Sequence, residues 1–333
     1  MTTTDTVSQG ARQAGSVSLP ALGGLGPPTA ERFAEVAEQA WRIRRRVLEH
    51  TIDNGGGYLS QACSSAEIFA TLYSVLMNLG AVEGGHQAVA FAGTPGEDGA
   101  ARTMGARFNG AQDDVHDRFL MSPAHYALVL YAALIEVGRL EPESLKGFNQ
   151  DGSTVEMIGA EHSPGMEATT GSLGQALAVA VGRALARRRR GATGRIWVLL
   201  SDGELQEGET WESLAAASAY ELSNLAVLVE ANGSQCDGPI GTVLGVEPIA
   251  EKIASFGWDV REVDGHDAPA IWSAAASMLG GQSGKARPKA IICRTSCWRD
   301  MPSLKSHSPK YHYIRLSPDE AMAARADLAR AEP

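Results

Sequence analysis

From Arg195 to Cys293 the chain alternates short apolar runs with helical patterns. RIWVLL precedes a helix over about Glu209–Leu222, and LAVLVE precedes a helix near Ile249–Phe256. WDVREV precedes a helix near Ala268–Leu279, and KAIIC closes the series. Continuous apolar runs such as RIWVLL belong to strands buried on both faces. Strands separated by helices are joined by crossovers rather than hairpins, which makes their sheet mostly parallel. The expected fold class is therefore α/β, a mostly parallel sheet with helices on both faces.

The rest of the chain adds helices to this frame. Phe33, Val36, Ala40, Ile43 and Val47 recur at helical spacing after Thr29, an N-cap residue with Glu31 in the first turn. Gly55, Gly56 and Gly57 end that helix, and Ser64 or Ser65 is the expected cap of the next. Ala81–Gly110 is rich in glycine and reads as a loop with one short strand. DRFLMS reads as a strand, followed by helices over about Ala124–Val137 and through LGQALAVAVGRALARRRR. Residues 1–28, rich in Ser, Thr, Gly and Pro, read as a flexible N-terminal arm. Residues 29–333 then form one domain.

Charge and cysteine content narrow the function classes. Lys and Arg number 29 against 39 Asp and Glu, a net charge of −10. Such a balance opposes non-specific binding to nucleic acid or anionic membranes, which need a cationic surface. No apolar run approaches the ~18 residues of a membrane span, and the N-terminus lacks the pattern of a secretory signal. Cys63, Cys236, Cys293 and Cys297 form no C-x-x-C pair. Free thiols in a reducing cytoplasm are expected.

In open parallel sheets, ligands bind beyond the C-terminal ends of the strands. Two such ends carry chemistry here: Ser201-Asp202-Gly203-Glu204 and Glu230-Ala231-Asn232-Gly233-Ser234. Asp202 and Asn232 lie one strand–helix–strand unit apart. Adjacent strands are about 4.8 Å apart, so both side chains can reach one ion. A carboxylate, an amide oxygen and a backbone carbonyl are hard ligands suited to Mg²⁺. Upstream, TTGSLGQ at 169–175 places Gly171 and Gly174 where backbone can approach a phosphate at a helix N-terminus. A metal beside a phosphate nest implies a diphosphate ligand.

The order of these parts resembles the thiamine-diphosphate motif, a G-D-G (here Ser201-Asp202-Gly203) followed one unit later by an Asn. The wider segment VLLSDGELQEGETWESLAAASAYELSNLAVLVEANGSQCDG is similar to that of transketolases, above all their separately encoded N-terminal subunits. DRFLMSPAHYALVLYAALIEVG, GMEATTGSLGQALAVAVG and FGWDVREVDGHD match too, so the resemblance covers about Ala30 to Glu320. It implies a diphosphate-binding thiamine-diphosphate domain with thiamine diphosphate and Mg²⁺ as cofactors. Asp202 and Asn232 would be Mg²⁺ ligands by side chain and Ser234 by its carbonyl. Tyr58, His125, Gly171, Leu173, Gly203 and Glu204 would line the cofactor, with His125 on the diphosphate side. Glu207 matches a glutamate at the interface between subunits. His266 matches a turn and is expected to be structural. Glu167 is assigned no chemistry.

Four departures from the family pattern stand out. A substrate-facing histidine is replaced by Tyr58 in Gly57-Tyr58, a hydrogen-bond donor but a poor base at neutral pH. The triplet before the diphosphate-side histidine becomes Pro123-Ala124-His125. A Gly-His-Pro is missing, with His162 displaced toward the loop. RTSCWRDMPSLKSHSPKYHY replaces a Lys-Gly-Lys-Gly stretch, leaving His307 or His312 as the thiazolium-side histidine. These changes fall on positions that would face the sugar. The acceptor or donor is therefore expected to differ from that of ordinary transketolases.

The resemblance also implies a half-enzyme. The domain that grips the aminopyrimidine ring is not found in this chain. A separate C-terminal subunit is therefore expected, in an α₂β₂ assembly. The expected activity is transfer of a two-carbon ketol unit from a ketose or ketose phosphate to an acceptor. The alternative is the cofactor-binding subunit of a 2-oxo-acid dehydrogenase-like system that passes a two-carbon unit to a lipoyl or acyl carrier protein.

Overall fold

The computed structural model describes residues 27–82, 84–91, 105–279 and 286–333. The expected arm lies outside them except for its last two residues, as do residues 83 and 92–104 of the glycine-rich stretch.

Seven strands are described: β1 Arg118–Met121, β2 Ile196–Ser201, β3 Leu225–Ala231, β4 Ser234–Gln235, β5 Gly238–Pro239, β6 Asp259–Asp264 and β7 Lys289–Arg294. Among the described residues, β1, β2, β3, β7 and β6 form one sheet in that order. Every pair in it is parallel. β4 and β5 make a separate two-residue antiparallel hairpin. The helices are α1 Ala30–Asp53, α2 Leu59–Thr71, α3 Ala127–Glu136, α4 Gln175–Arg190, α5 Gly208–Ala219, α6 Ile240–Val243, α7 Ile249–Ser255, α8 Ala268–Leu279 and α9 Pro318–Arg330. None of the described helices is long and apolar enough to cross a membrane.

The register explains why the interiors of the central strands β2, β3 and β7 are apolar. Leu120, Val198, Val227 and Ala290 form one row across the sheet, and Met121, Leu199, Leu228 and Ile291 form the next. Successive residues point to opposite faces, and here both faces are covered. The first row packs with Leu177 and Ala180 of α4, Leu214 of α5 and Ile253 of α7. The second packs with Val36 and Val47 of α1, Phe69 of α2, Leu130 of α3 and Ile271 of α8. This is the α/β sandwich the alternation predicts.

Thr29 caps α1 as expected, its Oγ1 accepting from the Arg32 N–H at 3.2 Å. The start of α2 differs from expectation. It begins at Leu59, and Ser64 and Ser65 are fully buried inside it with their hydroxyls directed at the Gln61 carbonyl. The turn before α2 is instead held by an antiparallel bridge between Gly57 and Ile314, a contact distant in sequence. Within Ala81–Gly110 no described residue forms the expected strand. His86 and Ala90 make isolated bridges to Leu140 and Ser153, and Gly105–Asn109 is a 3-10 turn.

Candidate cofactor and metal site

The C-terminal ends of β1, β2, β3 and β7 converge on one set of polar side chains. Asp202 follows β2 and is 2% exposed. Its Oδ2 accepts the Gly233 N–H at 2.7 Å, whereas Oδ1 is buried without a hydrogen-bond partner among the described residues. Burial, and next the nearby Glu230 carboxylate, push the Asp202 carboxyl up to about 8. A buried carboxylate oxygen with no donor is costly, and a cation would relieve it. Asn232 follows β3. Its Oδ1 accepts the Ser234 N–H at 2.8 Å and its Nδ2 donates to Glu230 at 2.9 Å. Ser234 opens the β4–β5 hairpin. The donor set is a carboxylate, an amide oxygen and a nearby carbonyl, all hard oxygen ligands, and it fits Mg²⁺.

The diphosphate side has the room it needs. A Cβ on Gly203 would sit 3.5 Å from Gln235, filling space between the β2 loop and the hairpin. At Gly171, which is exposed, the nearest atom to an added Cβ is Ile158 Cγ2 at 3.9 Å. Leu173 beside it is half-buried. Gly174 turns the chain into α4 at φ +84°, a left-handed conformation that favours glycine, and its absent side chain lets Glu207 approach. The 16-residue α4 carries no side-chain cap, leaving its N-terminal N–H groups to other acceptors. These features fit an anionic diphosphate.

Glu204 is fully buried. Its carboxylate accepts from Ser122 Oγ at 2.6 Å and from the Ser201 N–H at 2.9 Å, and burial pushes it up to about 7. It ties the ends of β1 and β2 together from beneath. Glu207 is exposed at the N-cap of α5.

A ring cluster forms the other side. His125 lies 4.7 Å from His312, Tyr58 lies 5.4 Å from each, and Tyr313 lies 5.3 Å from Tyr58, between ring centroids. The segment carrying His312 is pinned to the start of α2, where Ser60 Oγ and Gln61 Nε2 donate to the carbonyls of Tyr311 and His312. Burial, and next His312, push His125 down to about 3; burial also lowers His312. Both imidazoles are thus neutral near pH 7. Burial raises the Tyr58 phenol, so it donates rather than acting as a base. Of the two C-terminal histidines, His312 joins this cluster. His307 instead faces Glu320 in the first turn of α9 at 3.3 Å.

The remaining singled-out residues are held by neighbours. His266 is 3.0 Å from Glu67 through Nδ1, and its Nε2 accepts the Ser296 N–H at 2.9 Å. Glu167 is buried against Arg118, Asn109 and the Phe119 N–H. His162 contacts Glu156 at 3.0 Å and the Phe91 ring at 4.6 Å. One residue escaped sequence reasoning. Glu230, fully buried at the end of β3, accepts from Tyr126, Thr295 and Asn232. The available signal was an acidic residue terminating a run of otherwise apolar strand positions.

The family model of the transketolase thiamine diphosphate binding domain matches residues 107–331. The chain belongs to this transketolase family. It is 37% identical over 284 residues to a transketolase family protein of Sinorhizobium fredii, covering 85% of this chain and 91% of that one. It is 28% identical over 302 residues to a 6-deoxy-6-sulfo-D-fructose transketolase subunit of a Clostridium species, covering 90% of this chain and 98% of that one. Transketolase of Campylobacter jejuni shares the fold with a TM-score of 0.66 at 23% identity, over 92% of this chain and 46% of that one. The chain thus spans nearly the full length of subunit-sized relatives and under half of human transketolase, 38% of whose length it matches.

Proposed function

We propose that this chain is the thiamine-diphosphate- and Mg²⁺-binding subunit of a two-component transketolase-like enzyme. It would move a two-carbon ketol unit from a ketose or ketose phosphate to an acceptor. The observation that carries the reading is the buried, unpartnered Oδ1 of Asp202 beside Asn232. Asp202, Asn232 and the Ser234 carbonyl would hold Mg²⁺. Gly171, Leu173, Gly203 and the start of α4 would hold the diphosphate. When bound, thiamine diphosphate supplies a carbon nucleophile and an electron sink. His125 and His312, neutral and desolvated, can accept or donate a proton at a substrate oxygen. Tyr58 narrows the same side and can donate a hydrogen bond. Glu207, exposed near the nest, would meet the partner.

The partner would be a separate chain with a pyrimidine-binding domain, in an α₂β₂ assembly. The near-complete match to a relative named as a subunit supports this. The transketolase names of the relatives favour ketol transfer over delivery to an acyl carrier. Four unpaired cysteines suit a reducing cytoplasm. The test is affinity capture of the tagged chain from its host, followed by a ketol-transfer assay on the captured complex with Mg²⁺. Turnover of a free ketose phosphate by a complex that contains a pyrimidine-domain chain supports the reading. A complex that turns over only a carrier-bound acyl unit overturns it.

A further inference from the structure

Glu230 is the acidic group that the proposed function leaves without a task. It is fully buried at the end of β3, two residues before Asn232. Three donors from three parts of the chain converge on it. Tyr126 Oη reaches its Oε2 at 2.6 Å, Asn232 Nδ2 reaches the same oxygen at 2.9 Å, and Thr295 Oγ1 donates to Oε1. Tyr126 comes from the 3-10 turn after β1 and Thr295 from the end of β7.

An amide has one donating and one accepting end. Each Glu230 oxygen already accepts from a hydroxyl, Oε1 from Thr295 and Oε2 from Tyr126, and it is the NH₂ end of Asn232 that completes this set of donors. The oxygen is turned to the other side, where it accepts the Ser234 N–H. The preceding N–H, that of Gly233, goes to Asp202 Oδ2. Asp202 and Asn232 thus cap consecutive N–H groups of one turn, with their oxygens gathered there. A flipped amide would present its positive end to a cation and remove a ligand.

We propose that Glu230 is a positioning residue that fixes the Asn232 amide so that its oxygen faces the bound cation. The inference rests on the assignment of Asp202 and Asn232 as metal ligands. Partners that orient a ligand in this way are typically worth ~10–100-fold in metal affinity.

The test uses Mn²⁺ as probe, titrated into the captured complex of this chain and its partner with thiamine diphosphate, and read by the loss of free-Mn²⁺ electron paramagnetic resonance signal beyond that caused by thiamine diphosphate alone. Thermal unfolding is followed for each variant. Glu230→Gln can face Asn232 with either end, and Mn²⁺ affinity should fall ~10–100-fold. Asn232→Asp alone sets two carboxylates against each other and should also weaken binding. Combining Glu230→Gln with Asn232→Asp restores one donor facing one acceptor and should return affinity to within about threefold of the parent. Tyr126→Phe leaves the Glu230–Asn232 bond in place and should also stay within about threefold. A purely structural role for Glu230 gives no such rescue. The inference is overturned if Glu230→Gln binds Mn²⁺ like the parent. It is also overturned if the double variant unfolds or binds no better than the weaker single one. A parent complex that takes up no Mn²⁺ overturns the metal assignment itself, and the inference with it.

Discussion

Asp202 divides its two oxygens between two tasks: Oδ2 holds the Gly233 N–H at 2.7 Å, and Oδ1 lies buried with no hydrogen-bond partner among the described residues. The first builds the loop, and the second is left for a ligand. Asp202→Asn keeps an acceptor for Gly233 and removes the charge. Without metal, the variant should unfold at the same or a higher temperature than the parent in chelator at neutral pH, because a carboxyl that burial pushes up to about 8 must take up a proton on folding, which costs stability there. With Mg²⁺ and the partner chain present, its affinity for thiamine diphosphate should drop at least ~100-fold. Calorimetry with and without Mg²⁺ checks both. Unchanged cofactor affinity would sink the ligand assignment.

His125 and His312 share a ring contact at 4.7 Å, while His307 pairs with Glu320. In the assembled enzyme, His125→Ala and His312→Ala should each lower turnover by about 100-fold or more, the range for a lost proton-handling group. His307→Ala, which removes a half-buried ring outside the cluster, should leave turnover within about threefold. With His125 held down to about 3, it stays neutral across roughly pH 5–8. The His125→Ala variant should therefore keep the shape of the parent pH–rate profile over that window at a lower amplitude. Loss of an acid limb in this variant would show that His125 titrates there.

What was legible in the sequence follows from what is local. β2 and β3 could be read because strands buried on both faces carry an almost unbroken apolar run, as Val198 and Leu199 illustrate. Asp202 and Asn232 could be read because strand ends are visible once strands are. The start of α2 could not, because the Gly57–Ile314 bridge that sets it joins residues far apart in sequence. The choice between His307 and His312 depends on how Ser60 and Gln61 pin Tyr311 and His312, again a tertiary matter. Glu230 was in plain view as a residue, but its meaning lies in three partners from separate elements.

The proposed partner surface can be tested at its apolar rim. Leu244 is 58% exposed and Val243 43% exposed, and the Leu244 carbonyl accepts from Gln206, next to Glu207. Ile158, beside Gly171, is 42% exposed. Leu244→Glu should leave the unfolding free energy of the isolated chain within about 0.5 kcal/mol of the parent, as expected for a surface change. The same substitution should weaken recovery of the partner chain at least ~10-fold, because it places a charge in a desolvated contact. Undiminished recovery would place the interface elsewhere. The isolated chain should also bind thiamine diphosphate weakly, since the pyrimidine side would come from the partner.

Away from the site, Arg44, Glu67, Asp300 and His266 form a buried charge network joining α1, α2 and the loops after β6 and β7. Burial alone would raise the Glu67 carboxyl, but the Arg44 guanidinium and the His266 ring overcome it and hold the group down to about 2. A carboxyl lowered from its ordinary 4.5 binds fewer protons when folded than when unfolded. Its contribution to stability is therefore present above about pH 4.5 and is lost as pH falls from there toward 2. Glu67→Gln leaves Arg44 buried with one carboxylate fewer, which should cost about 3–5 kcal/mol at neutral pH. The gap between parent and variant should narrow as pH drops through that window, because protonation removes the same charge from the parent. Urea unfolding at neutral pH and near pH 3 measures it; a gap that stays constant would show that Glu67 acts through packing rather than charge.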